Sequence, residues 1–255
     1  TDHLEPKSIY DSVFKNLYDG IKLDDLIKTL IMTSKTFIEK DPLYAKVTAQ
    51  LLLYAIRKEV LGRHVQASEA KETYKSYFPR FIEKGIQVGV LSSELKSFDL
   101  EFLGETINPE RDFQFGYLGL QTLYDRYFLI DRNDSFSKEG KRIELPQIFF
   151  MRVAMGLAIR EKDKNKRAAE FYNLLSSFDF MSSTPTLFNS GTNFSQLSSC
   201  YLSTVEDDLD RIYEAIKENA LLAKYAGGLG NDWTPVRALG SFIKGTNGHS
   251  QGVVP

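Results

Sequence analysis

Cys200 is the single cysteine of this sequence and stands in the stretch Gln196-Leu197-Ser198-Ser199-Cys200-Tyr201-Leu202. Read as a short strand, that stretch puts Cys200 on one face with Ser198 and Leu202. On residue type alone, a lone cysteine has the pattern of an inert buried hydrophobe, and a thiol with chemistry of its own needs further support. Upstream, Thr184-Pro185-Thr186 is a helix-start signal, with Thr184 able to cap and Pro185 suited to the first helical position. A helix start offers free backbone N–H groups to an anion such as a phosphate, and a plain cap is the competing reading. Downstream, Gly227-Gly228-Leu229-Gly230 is not followed by Gly-Lys-Ser/Thr and lacks a preceding strand, so it is neither a Walker loop nor a dinucleotide fingerprint. Alone it reads as a helix C-cap. The segment Gly240 to Gly248 is a backbone-rich loop of the kind that can wrap a phosphate. His3, His64 and His249 show no metal-ligand spacing.

The elements that must hold these residues are mostly helical. Leu23, Leu26, Ile27, Leu30 and Ile31 repeat at helical spacing behind Asp24 and Asp25. After Asp41-Pro42 a second stripe runs through Ala45, Ala49, Leu52 and Leu53 to a break at Gly62. Helical segments continue through Phe81 and Leu91, and residues 92–116 are mixed, with a turn expected at Asn108-Pro109. Tyr124 to Ile130 suits a short strand or helix end, and Asp131 to Lys141 a hairpin turn. Residues 146–160 and 166–178 carry helical apolar patterns whose plain meaning is core packing. The clearest element is a helix over 205–226. Ser203 with Glu206 and Thr204 with Asp207 fit capping boxes, Leu209, Ile212, Ile216, Ala220 and Ala223 form its stripe, and Gly227-Gly228 ends it.

Composition narrows the class without naming a function. In 255 residues, hydrophobic residues are 42% and charged residues 26%, which is ordinary globular usage, and the net charge of −2 gives no sign of a nucleic-acid binder. No apolar run approaches a membrane span and no signal peptide is present, so no membrane partner is expected. One cysteine excludes an internal disulfide framework and fits a reducing cytoplasm. The chain starts at Thr1 rather than Met and stops at Pro255 in a Gly-rich stretch, which reads as part of a longer chain.

Singly these features are weak, but their order is specific. Ser183 to Gly191 (STPTLFNSG), Leu197-Ser198-Ser199-Cys200, Ala226 to Gly230, Val236 to Ser241 and Gly245 to Gly248 follow one another in a succession that resembles the large (catalytic) subunit of ribonucleotide reductase. Thr122 to Tyr127 resembles that family's N-terminal helical domain, and residues 18–60 resemble the second half of an ATP cone, its activity-regulating module. The resemblance implies a mainly α N-terminal region, with a partial ATP cone over 1–61 and a helical domain over 62–195. Residues 196–255 would then open a ten-stranded α/β barrel.

It also implies roles. Cys200 falls where the family has the first of two cysteines that reduce the ribose 2′ position and become a disulfide. Thr184 and Ser199 match positions that hold the substrate diphosphate and ribose, and Gly227 and Gly228 match backbone positions beside the substrate. Asp207, Lys224 and Arg237 match the site for a deoxynucleotide effector, with residues 238–250 as its first loop. Reducing the 2′ position takes a thiol pair and a third cysteine as a thiyl radical, so this chain carries one of three sulfurs. The family's other cysteines and its catalytic Glu and Asn are expected in the C-terminal remainder of the subunit. The implied partners are that remainder, a radical-generating small subunit, a second copy of the chain, ribonucleotide substrate (di- or triphosphate), dNTP and ATP effectors, and a thioredoxin or glutaredoxin. No cofactor is expected on this chain. The radical would come from a metal-containing small subunit (class I, favoured) or from adenosylcobalamin (class II). The alternative from another class is a nucleotide-binding regulatory or assembly module without catalysis.

Overall fold

The computed structural model describes residues 4, 6–133, 140–224 and 227–253. It divides into two compact units, Thr1–Ser182 with Leu187–Ser195, and Ser183–Thr186 with Gln196–Pro255. The first unit is helical: α1 (Pro6–Phe14), α2 (Leu23–Thr36), α3 (Tyr44–Leu61), α4 (Ala70–Gln87), α5 (Leu100–Thr106), α6 (Tyr117–Thr122), α7 (Pro146–Ala158) and α8 (Lys164–Ser176). The expected stripes account for it. Ile27 and Ile31 of α2 meet Ala49, Leu52 and Leu53 of α3 in one core, which continues through Tyr74, Phe78 and Phe81 of α4. Gly62 ends α3 in the left-handed conformation (φ 72°), where a side chain would be strained.

The innermost helix is α7, which begins with Pro146 at its first turn. Phe149, Phe150, Met151, Val153, Ala154 and Met155 are fully buried. Each large apolar side chain so placed contributes ~1.5–3 kcal/mol. A buried polar set braces this core. Asp112 accepts hydrogen bonds from Arg57 Nη2 (2.9 Å), the Tyr74 hydroxyl (2.5 Å) and Gln147 Nε2 (2.9 Å). Desolvation raises the Asp112 carboxyl above the usual carboxylate range despite the opposing pull of Arg57.

The segment 124–130 resolves into a single π-helical turn (Leu123–Tyr127) followed by β1 (Ile130–Asp131). That strand pairs antiparallel with β2 (Lys141–Arg142) as a hairpin would, while most of the expected turn, residues 134–139, lies outside the described residues. The short helix α9 (Thr184–Asn189) runs from one unit into the other.

The second unit is built as strand, helix, strand: β3 (Cys200–Thr204), α10 (Leu209–Lys224) and β4 (Gly228–Asp232). β3 and β4 are parallel, in register from Cys200↔Gly228 to Thr204↔Asp232. Asn219 of α10, Asn231 of β4 and Ser203 of β3 share side-chain hydrogen bonds that seat the helix on the pair. Two expectations fail here. β3 starts four residues later than Gln196, and α10 starts at Leu209 rather than 205. The late helix start has a clear cause: Ser203 and Thr204 are drawn into the ladder with β4, and Val205 N–H extends it to the Asp232 carbonyl (2.9 Å). Neither can then cap. Asp208 does so instead, its carboxylate accepting from Arg211 N–H at 3.2 Å. No helix among the described residues is long and apolar enough to cross a membrane.

Candidate functional site

Cys200 opens β3 and is exposed in this chain. The alternation along β3 puts Cys200, Leu202 and Thr204 on the open face and Tyr201 and Ser203 on the half-buried one. The Ser199 hydroxyl donates to the sulfur at 3.6 Å. Directly opposite lies Gly228, whose N–H donates to the Ser199 carbonyl at 2.7 Å.

Gly227 closes the last turn of α10 as expected, its N–H donating to the Leu222 carbonyl at 3.3 Å, and Gly228 already belongs to β4. Both also lie beside neighbouring side chains. A Cβ on Gly227 would sit 2.6 Å from the Tyr201 ring, and one on Gly228 would stand 3.7 Å from the Cys200 sulfur. Bare backbone therefore borders the thiol. Gly227→Ala in the full-length subunit is expected to cost ~1–3 kcal/mol by overpacking, and adding Tyr201→Leu should recover most of it. Scanning calorimetry of the two single variants and the double variant tests this. Purely additive losses would show that the ring does not require the glycine.

Thr184 is itself the first residue of α9, so the cap position falls one residue earlier, on Ser183, whose hydroxyl lies 3.4 Å from that of Thr186. The Thr186 hydroxyl donates to the Leu197 carbonyl at 3.1 Å, tying the start of α9 to the segment that leads into Ser199 and Cys200. A helix of six residues carries few aligned peptides, so its hydroxyls, more than a macrodipole, are what it can offer an anion.

Of the three expected effector residues the structure brings two together. The backbone N–H of Arg237 donates to Asp207 at 3.1 Å, and its Nε lies 2.9 Å from both carboxylate oxygens. These bonds hold the Asp207 carboxyl below the usual carboxylate range, so it is ionised at neutral pH. Lys224 lies at the far end of α10, whose 16 residues at ~1.5 Å each make about 24 Å. Asp207 also stands just ahead of the helix rather than on it.

Residues 240–250 form a hairpin closed on itself rather than an open phosphate loop. Gly240 N–H bonds the Ser250 carbonyl, Ser250 N–H the Ser241 carbonyl, and Ile243 N–H the Gly248 carbonyl. Gly240 and Gly245 take positive φ to turn it. Sequence reasoning missed Tyr201, whose ring lies against Gly227, and the Asn219–Asn231 pair; nothing in the local sequence marks either.

Two family models align with this arrangement. Residues 113–195 match the one described as "Ribonucleotide reductase, all-alpha domain", and residues 198–255 match "Ribonucleotide reductase, barrel domain". The chain belongs to the ribonucleotide reductase large-subunit family. Its helical region followed by the parallel β3–α10–β4 unit is an all-α domain and the start of the barrel domain. The ribonucleoside-diphosphate reductase subunit alpha of Chlamydia muridarum is 52% identical over 246 residues, covering 96% of this chain and 23% of the relative. The subunit alpha of Helicobacter pylori is 44% identical over 242 residues, covering 93% of this chain and 28% of that protein. The large subunit of Variola virus is 33% identical over 256 residues, 100% of this chain and 32% of the viral one. The chain thus spans under a third of the length of these ribonucleotide reductase relatives.

Proposed function

We propose that this chain is part of a ribonucleoside-diphosphate reductase catalytic subunit and that Cys200 is one of its two reducing thiols. The observation that carries the reading is the exposed sulfur at the head of β3, with the Ser199 hydroxyl on it and Gly228 in register opposite. In the reaction the ribose 2′-hydroxyl leaves as water, hydrogen takes its place, and two thiols are oxidised to one disulfide. Cys200 supplies one sulfur. The second thiol, the radical cysteine and the catalytic Glu and Asn come from the C-terminal remainder. Thr184 and Ser199 hold the diphosphate and ribose through their hydroxyls, and the backbone of Gly227 and Gly228 lies along the substrate. A thioredoxin- or glutaredoxin-type dithiol resets the pair.

A metal-containing small subunit supplies the radical. Relatives named "subunit alpha" support that source over adenosylcobalamin, and their being named reductases supports an enzyme over a regulatory module. Asp207 and Arg237 bind a dNTP effector, with Lys224 from a second copy. Residues 1–61 act as a partial ATP cone, a reading supported by the resemblance of residues 18–60 to the second half of that module. The setting is cytoplasmic.

The test is reconstitution. The full-length subunit with its radical-generating partner and a dithiol should form deoxyribonucleoside diphosphate, and residues 1–255 with the same partner should form none. Product from the 255 residues alone, or no product from the full-length assembly, would overturn the reading.

A further inference from the structure

The apolar helix α7 carries an arginine at its centre. Arg152 and its partner Glu144 are both fully buried. Arg152 Nε donates to Glu144 Oε1 at 2.6 Å and Nη2 reaches Oε2 at 3.3 Å, while Glu144 Oε2 also accepts from Leu129 N–H at 2.8 Å. Stripping two charges of water costs several kcal/mol per ion, and a well-packed apolar pair would give comparable stability. An apolar pair could not donate hydrogen bonds, and Arg152 donates to the end of another helix. Nη1 bonds the carbonyls of Ser190 (2.6 Å) and Phe188 (3.4 Å), and Nη2 that of Leu187 (3.2 Å). The Leu187 and Phe188 carbonyls belong to the last turn of α9, and Ser190 follows it directly.

A six-residue helix is marginal by itself, and its last four carbonyls have no partner within it. Arg152 supplies two bonds at that end and a third to Ser190 just beyond it. Other contacts fix the same segment. The Ser190 hydroxyl donates to the Val153 carbonyl at 2.7 Å. Gly156 has no side chain because the Ser190–Gly191 backbone lies against it. The Tyr127 ring stacks on Phe188 at 4.5 Å between centroids. Holding the carbonyls of Leu187 and Phe188 fixes the rotation of α9 about its axis. Thr184 sits three and four positions before them, on the same face of the helix.

We propose that Arg152, held by Glu144, is a positioning residue of the reductase: it sets the azimuth of α9 and thereby the place of the Thr184 hydroxyl. The proposal rests on Thr184 contacting the substrate diphosphate. It is tested in the full-length subunit assembled with its radical partner, using Arg152→Lys, Glu144→Gln and Thr184→Ala. Arg152→Lys should raise KM for the ribonucleoside diphosphate about tenfold, as a misplaced contact group does, with a smaller rise for Glu144→Gln. Affinity for the dNTP effector should stay unchanged, and amide exchange should quicken at residues 184–191. Wild-type KM in Arg152→Lys and Glu144→Gln, with KM raised in Thr184→Ala, overturns the proposal and leaves Arg152 structural. So does a parallel fall of kcat and effector-binding capacity at constant KM, the mark of a partly unfolded population. Wild-type KM in all three variants overturns the role of Thr184 as well. If Arg152→Lys does not fold, Glu144→Gln decides the matter by the same readouts.

Discussion

Cys200→Ser in the assembled full-length subunit is expected to bring multiple turnover with a dithiol reductant down to background. Serine is close to cysteine in size and shape, and the Ser199 hydroxyl that donates to the sulfur at 3.6 Å can donate to an oxygen there as well. Packing therefore changes little, and folding and dNTP affinity should match the wild type. The chemistry changes completely. A hydroxyl cannot form a disulfide, so the two electrons that replace the 2′-hydroxyl with hydrogen have no pair of sulfurs to leave. This separates a redox thiol from a structural one better than a large-to-small change would, because a loss cannot be assigned to a cavity. Deoxynucleotide formation over many cycles is the measurement, with thermal stability and effector binding as controls. Unchanged multiple turnover would show that Cys200 is a surface residue without a part in reduction.

Why the site was partly legible follows from what kind of contact places each residue. α2, α3, α7 and α8 were visible because their apolar spacing is local, helped by Pro42 and Gly62 around α3 and Pro146 at α7, and a local pattern survives without knowledge of the fold. Ser203 and Thr204 misled because two local rules competed. They suit a helix cap, yet pairing with Asn231 and Asp232, 28 residues away, draws them into a strand. Gly227 was legible only in part: its N–H does close the helix end on the Leu222 carbonyl, while the Tyr201 ring that crowds a side chain there lies on the neighbouring strand. Arg152 was the readable signal left unread. A charge inside Phe149-Phe150-Met151-Arg152-Val153-Ala154 must be paired if it is buried.

Addition of dNTP to the full-length subunit is expected to shift it from monomer to dimer, through an effector site that two chains share. The argument starts from distance. Asp207 and Arg237 lie at the start of α10 and Lys224 at its end, about 24 Å apart at ~1.5 Å per residue, which exceeds a nucleotide's reach. Two α10 helices packed antiparallel about a two-fold axis bring Lys224 of one chain to the Asp207–Arg237 pair of the other. The helix presents a suitable face. Leu209 is 68%, Tyr213 65% and Ile216 49% exposed, and Ala220 and Ala223 are small and open, whereas Ala215 alone is buried among the described residues of α10. A ligand that bridges the dimer binds it in preference to the monomer, so mass action drives association. Arg237→Ala and Lys224→Ala should each weaken dNTP binding roughly 10- to 100-fold, by loss of a charge-assisted contact to phosphate. Mixing the two variants gives the decisive result. A mixed dimer holds one site with both lesions and one with neither, so statistical pairing should restore full affinity to roughly a quarter of the sites. Sedimentation with and without dNTP, and calorimetry of the mixture, read both effects. A monomer that binds dNTP tightly without associating, or a mixture that regains no strong sites, would put the whole effector site on one chain.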